Sequence, residues 1–203
     1  MGLIKENKDM EKKRMSTEAD EAIWQTCLTG DRKAFEELYN RYYALLYNYG
    51  RKFSSDVELV KDCIQNFFVK LIRNHEHLSM TVSVKGYLLK AFRYTLYNAL
   101  ETKRQQTNFI LPCLDDMLAF NSDSLPPIVN DDFSEDYSSI HEAIKMLPSR
   151  QQEILYLYFV VELDHSEIAS LLNINYQSSK NLLYRALLKL KSILVKEDLV
   201  YCS

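Results

Sequence analysis

Gln177, Lys180, Asn181 and Tyr184 fall on one face when the segment after Asn175 is wound at about 100° per residue. Leu183, Ala186 and Leu190 fall on the other. Amide, ammonium and phenol groups in one stripe are the types that read base edges and grip phosphate. From Ile168 to Lys196 there is no acidic residue, but there are Lys180, Arg185, Lys189, Lys191 and Lys196. The whole chain has a formal net charge of −3, so this basic run is local. A concentrated cationic stretch in an acidic protein is an electrostatic footprint for DNA. A solvated amphipathic helix would carry the same charges, so the elements around it have to decide.

Those elements have helix-turn-helix grammar. Asp164 precedes Glu167 by three, the spacing of a capping box that opens a helix. Ala169 is small enough to let a second helix cross closely. Asn173 falls where the first helix ends, at a site wanting a left-handed residue, and asparagine tolerates that conformation. Ile174 can plug the corner, and Asn175 can cap the second helix. Upstream, Leu147-Pro148-Ser149 breaks one helix, and Pro148 suits the first turn of the next, which carries Ile154, Leu155, Leu157 and Tyr158.

The first half of the chain is also helical by its apolar spacing. Phe35, Leu38, Tyr39, Tyr42, Leu45, Leu46 and Tyr49 form one stripe. Ile64, Phe67, Phe68, Leu71 and Ile72 form a second, and Tyr87, Leu88, Ala91, Phe92, Leu96 and Leu100 a third. Between Gln105 and Ile140 lysine and arginine disappear, while Asp115, Asp116, Asp123, Asp131, Asp132, Glu135 and Asp136 accumulate beside Pro112, Pro126 and Pro127. That composition predicts an acidic flexible linker, with a few apolar residues, Phe120 among them, able to dock locally. The expected organisation is all-α: a tail over 1–20, a helical domain over 21–104, the linker over 105–139, and a helix-turn-helix domain over 140–197.

Several function classes lack their signatures. Cys27, Cys63, Cys113 and Cys202 have no CxxC or zinc-finger spacing, and read as reduced thiols. His75 and His77 stand two apart, which points them away from each other on a helix, so both are expected at the surface. No glycine-rich phosphate loop, metal-ligand spacing or convergent nucleophile is present, so no enzymatic chemistry, metal or cofactor is expected. No apolar run approaches the ~20 residues that span a bilayer. The charged start, Met1 to Arg14, does not resemble a signal peptide, and the expected location is the cytoplasm.

The first module carries a resemblance. Asp62-Cys63-Ile64-Gln65-Asn66-Phe67-Phe68 resembles the Asp-Leu-Val-Gln-Glu-Thr-Phe core of RNA polymerase sigma factors, matching at Asp62, Gln65 and Phe68, with Asn66 in place of the usual acid. Ala34 to Tyr39 looks like the opening of the same domain, and Val84 to Lys90 like the segment that meets the melted promoter. In the second module Leu147 to Arg150, Glu167-Ile168-Ala169 and Lys180 to Ala186 resemble that family's C-terminal domain. The pattern from Ala22 to Leu194 is similar to a sigma factor of the extracytoplasmic-function group, of the type found in Bacteroidetes. Ser179 stands where the family usually has valine, and a serine there can bond back to a carbonyl of its own helix. Tyr94 stands where asparagine is common and reads as a packing alternative.

The resemblance implies the function of an alternative sigma factor that directs core polymerase to promoters. It implies core contacts at Asp62, Gln65, Asn66 and Phe68. It implies that the minus-ten element is taken as single strand by Lys85, Tyr87, Lys90, Arg93, Tyr94, Tyr97 and Asn98, with a base flipped into the Met80–Lys85 loop. In the recognition helix it implies Tyr176, Gln177, Ser178, Lys180, Asn181, Tyr184 and Arg185 for the minus-thirty-five element. The implied partners are core RNA polymerase, through the beta-prime clamp helices and the beta flap, promoter DNA, and a membrane-anchored anti-sigma factor. The competing expectation is a helix-turn-helix regulator whose N-terminal domain senses a ligand or partner.

Overall fold

A computed structural model of the chain describes residues 18–106, 120 and 134–201. The remainder of the expected tail, most of the expected linker, Cys113 and Cys202 lie outside the described residues. Within them the structure is helical, with no β-strand. The first helix, α1, covers 18–28. It reaches into the segment expected as tail, because Asp20 is buried and accepts from Arg41 and from the Tyr42 hydroxyl. Helices α2 (Arg32–Arg51), α3 (Val57–Arg73) and α4 (Val84–Gln106) follow.

Local chemistry sets these boundaries. The Asp31 carboxylate accepts from the Lys33 and Ala34 amides at the start of α2, and Asp56 accepts from Leu59 at the start of α3. Each satisfies amide groups that a helix N-terminus leaves bare. Lys70 and Arg73 lie in the last turn of α3, where the helix dipole favours cations. Trp24, Phe35, Leu38, Leu46, Ile64, Leu88, Phe92 and Leu96 fill the centre of this module. Gly50 lets α2 approach α3 and α4, since a Cβ there would stand 2.7 Å from Val60 Cγ1. Trp24 also donates from Nε1 to the Ser79 carbonyl at 3.0 Å, tying α1 to the loop before α4. In that loop His77 is exposed, but His75 is half-buried against Gly30.

The second module begins with α5 (Ser134–Lys145), which starts inside the segment expected as linker. Helix α6 (Ser149–Leu155) passes into a π-helical turn, Tyr156–Val160, and is followed by α7 (His165–Leu172) and α8 (Tyr176–Tyr201). Pro148 sits just ahead of α6, at its cap position. The buried Gln152 amide donates to the Leu147 and Lys145 carbonyls, which fixes the α5–α6 corner. Leu147, Ile154, Leu157, Ile168, Leu171, Leu183 and Ala186 are the core of this module.

The two modules pack against each other. Helix α4 lies on α7, and their buried side chains belong to one continuous cluster. Phe120 is wedged between them: its ring meets Phe53 edge-on at 5.5 Å and Tyr156 at 5.4 Å, and its backbone N–H donates to Ser149 Oγ. The apolar residues of the acidic segment were expected to dock locally, and this one docks across the seam. No described helix is long and apolar enough to cross a membrane. No cluster of potential metal ligands occurs among the described residues.

Candidate nucleic-acid and polymerase interfaces

The helix-turn-helix is built as its residues require. Asp164 accepts from the Ser166 and Glu167 amides, and Glu167 accepts in return from the Asp164 amide, completing the capping box. Asn173 closes α7 in the left-handed region at φ 55°. Ile174 donates its amide to the Ala169 carbonyl, and Asn175 Oδ1 accepts from Ser178 N at 2.7 Å, which starts α8. The geometry leaves Tyr176, Gln177, Lys180, Asn181, Tyr184 and Arg185 exposed, with Ser178 half-buried. Gln177 donates to Asn181 Oδ1 at 3.1 Å, and Lys180 Nζ lies 5.5 Å from the Tyr176 ring centre. One turn of α8 thus presents two adjacent amides and a cation on a helix backed by Leu183 and Ala186.

Ser179 is fully buried on the other side. Its hydroxyl does not turn back on its own helix as the sequence suggested. It lies 3.1 Å from His165 Nδ1, because the first residue of α7 reaches across the corner. The His165 ring stacks on Tyr158 at 5.3 Å and meets Tyr176 edge-on at 5.9 Å. His165 therefore pins the start of α8 to the π-helical turn that follows α6. No periodicity in the sequence marks His165, a polar residue that packs through its ring faces.

The expected polymerase contacts divide. Asp62, Gln65 and Asn66 are exposed along α3. Phe68, implied as a polymerase contact but also a member of the α3 apolar stripe, is 4% exposed, with its ring edge-on to Tyr39 at 5.0 Å and to Phe67 at 5.1 Å. Three residues beyond Gln65 the helix has turned inward, and the phenyl ring is core. The cysteine of the same motif is buried too. Burial, then the charge of Asp62, pushes the Cys63 thiol up to about 11, and burial with Asp31 and Glu37 does the same to Cys27. Both stay protonated and poorly nucleophilic at neutral pH.

The expected minus-ten residues also divide, and the cations go the unexpected way. Lys85 Nζ donates to the Val161 carbonyl at 3.1 Å, and Lys90 Nζ donates to Ser170 Oγ at 3.0 Å. Arg93 pairs with Glu153 at 3.3 Å. Glu153 is 2% exposed and also accepts from the buried Tyr49 hydroxyl at 2.8 Å. Burial works against the charge on Arg93, but the Glu153 carboxylate and the Tyr49 hydroxyl together more than offset this and hold the guanidinium protonated. Burial, then the same carboxylate, drives the Tyr49 phenol well above its ordinary range. All three cations of this face thus meet oxygens of the second module. Tyr87 packs on Trp24 at 5.1 Å and is half-buried. Tyr94 is no packing residue, being 69% exposed, and Asn98 is exposed beside the half-buried Tyr97. Met80 and Val82 project from the loop ahead of α4.

Two stretches of the chain match described families. Residues 38–106 match the family described as Sigma-70 region 2, and residues 137–190 match Sigma-70, region 4. The chain is 27% identical over 190 residues to the RNA polymerase sigma factor SigV of Bacillus subtilis (strain 168), covering 93% of this chain and 99% of that one. The fold is similar to that of CnrH, solved in complex with the cytosolic domain of CnrY, with a TM-score of 0.59 at 17% identity, covering 88% of this chain and 98% of that one. It is also similar to the sigma factor RpoE of Bartonella quintana, solved with the anti-sigma factor NepR, with a TM-score of 0.58 at 18% identity, covering 80% and 97% of the two chains. With a region 2 match first, a region 4 match after it and a relative aligned along nearly its whole length, this chain is an alternative sigma factor of the extracytoplasmic-function type that directs transcription initiation.

Proposed function

We propose that the chain performs this task through three separate surfaces and does no covalent chemistry of its own. Asp62, Gln65 and Asn66 on α3 bind the beta-prime clamp helices of core RNA polymerase, and the second module meets the beta flap. The face of α4 that holds Lys85, Lys90 and Arg93, with Tyr94 and Asn98 beyond it and the Met80–Lys85 loop before it, takes the melted minus-ten strand. The start of α8 enters the major groove of the minus-thirty-five element. The observation that carries this reading is the exposed quartet Gln177, Lys180, Asn181 and Tyr184, set on a helix whose start is fixed by Asn173, Asn175 and the His165–Ser179 contact. The chain works in the cytoplasm, and its regulator is an anti-sigma factor anchored in the membrane, as befits the Bacteroidetes-type group it resembles. Both related structures with comparable folds hold a second protein chain, which supports a partner of that kind.

Lys180 and Gln177 give this reading its test. A lysine is a compact point charge that mostly meets phosphate. Lys180→Ala is expected to weaken transcription from all promoter variants about equally and to lower the salt slope by ~1. A glutamine can pair with adenine through two hydrogen bonds, worth ~1–3 kcal/mol of discrimination. Gln177→Ala is expected to relax preference at one base pair and leave the salt slope alone. The measurement is transcription by each mutant holoenzyme from promoter variants at two salt concentrations. Equal salt effects with unchanged base preference would rotate the helix and bring Ser178 and Arg185 to the groove floor.

A further inference from the structure

We infer that Trp24 is a positioning residue for promoter opening: from α1, its indole holds the loop whose apolar tip receives the melted strand. This rests on the assignment of the Met80–Lys85 loop to the minus-ten strand. Trp24 precedes residues 38–106, the stretch that matches region 2, so the family match does not mark it. The loop needs a holder. Between Leu78 and Ser83 the chain is in no helix, and its tip leaves Val82 96% and Met80 55% exposed. Apolar side chains on a free loop would fold back out of water, so a loop that displays two of them is restrained. Held outward, they suit a melted strand, where apolar side chains wedge between bases.

The restraint comes from α1. Trp24 donates from Nε1 to the Ser79 carbonyl at 3.0 Å. Among the described residues, no other hydrogen bond reaches the Ser79–Ser83 stretch from outside that stretch and α4. Trp24 is fully buried, so an indole N–H that released Ser79 would find no water to replace it. The same ring packs on Tyr87, 5.1 Å away, the aromatic residue assigned to the strand at the start of α4. After α1, Gly30 turns at φ 83° and makes room for His75: a Cβ on Gly30 would stand 2.8 Å from His75 Nε2. The His75 carbonyl accepts from the Leu78 amide at 3.0 Å. The α1 segment therefore holds the loop at its entry through Gly30 and His75, at Ser79 through Trp24, and at its exit through Tyr87. A tryptophan that only filled the core would need its ring alone. Here the polar atom acts on the loop, and the two roles separate by experiment.

Trp24 is the single tryptophan of the chain, so incorporating 3-benzothienylalanine in place of tryptophan exchanges the N–H for sulfur at this position alone. The shape is kept and the donor is lost. Trp24→Phe removes the same donor with a smaller ring, and should it fail to fold, the isosteric chain carries the test. Each full-length chain is assembled with core RNA polymerase. Transcription is measured from a promoter of the protein's own operon and from variants with one minus-ten base exchanged. Without the donor, transcription from the native promoter should fall about tenfold, the effect of one hydrogen bond, and most of the preference for the native base should go with it. Co-purification with core enzyme should not change. Val60→Ala, a core truncation beside Gly50, should lower the denaturant midpoint and keep the base preference. Wild-type base preference in the benzothienylalanine chain would overturn the inference, as would an equal loss in Val60→Ala. Met80→Ser and Val82→Ser, at exposed positions, read the underlying assignment separately. If they alter base preference while loss of the indole N–H does not, the positioning role alone is wrong. If base preference is indifferent to both, the assignment falls, and the positioning role with it.

Discussion

Asp62→Arg is expected to strip core RNA polymerase from the protein while leaving its fold intact. Asp62 is exposed in the first half of α3, one residue before the buried Cys63 and three before the exposed Gln65. A substitution at such a surface position usually changes stability by only about 0.5 kcal/mol. At an interface the effect is different in kind. Losing one partner of a buried charged contact costs about 2–5 kcal/mol, and reversing the sign adds repulsion. Co-purification with core enzyme should fall roughly thirtyfold or more. Far-ultraviolet circular dichroism should keep its helical signal. Undiminished co-purification would move the polymerase contact off this stretch of α3.

Phe68→Ala is expected to act on the fold. The ring is buried between Tyr39 and Phe67, so truncation leaves a cavity that two aromatic neighbours cannot readily fill. Such changes cost about 3–5 kcal/mol. The total stability of a domain is only about 5–15 kcal/mol, so the first module should become marginal. Denaturant unfolding should show a lower midpoint with an unchanged slope. Loss of polymerase binding in this variant would then follow from unfolding. A stability change under about 1 kcal/mol would contradict the packing described for α3 and restore Phe68 as a surface contact. The two neighbouring substitutions thus separate binding from folding within one motif.

Much of the architecture was legible because it rests on local rules. The capping box of Asp164 and Glu167, the left-handed Asn173 and the cap at Asn175 each follow from one side chain satisfying nearby backbone groups. The facing of α8 followed from its apolar period, with Leu183 and Ala186 buried and the polar quartet exposed. Short motifs were read less well where exposure changes within one turn. Gln65 and Phe68 belong to the same motif, yet one faces solvent and the other the core. Nothing local could announce the contacts between the modules. Glu153 lies in a stretch without a striking pattern, 60 residues from Arg93 and 104 from Tyr49. Its importance exists only once α4 lies on the second module. The same holds for His165 and Ser179, where a residue with an unexpected hydroxyl met a ring from another helix. Phe120 looked like one apolar residue in an acidic stretch, and only its two aromatic neighbours show why it is there.

The most direct test of the account is transcription from a promoter of the protein's own operon by purified core RNA polymerase, with and without the full-length chain. Core enzyme supplies catalysis but lacks promoter selection. A discrete transcript is expected, starting at one position, that requires the added chain and disappears with Asp62→Arg. Transcription no higher than that of core enzyme alone, across promoters from that operon and at low salt where phosphate contacts are strongest, would contradict it.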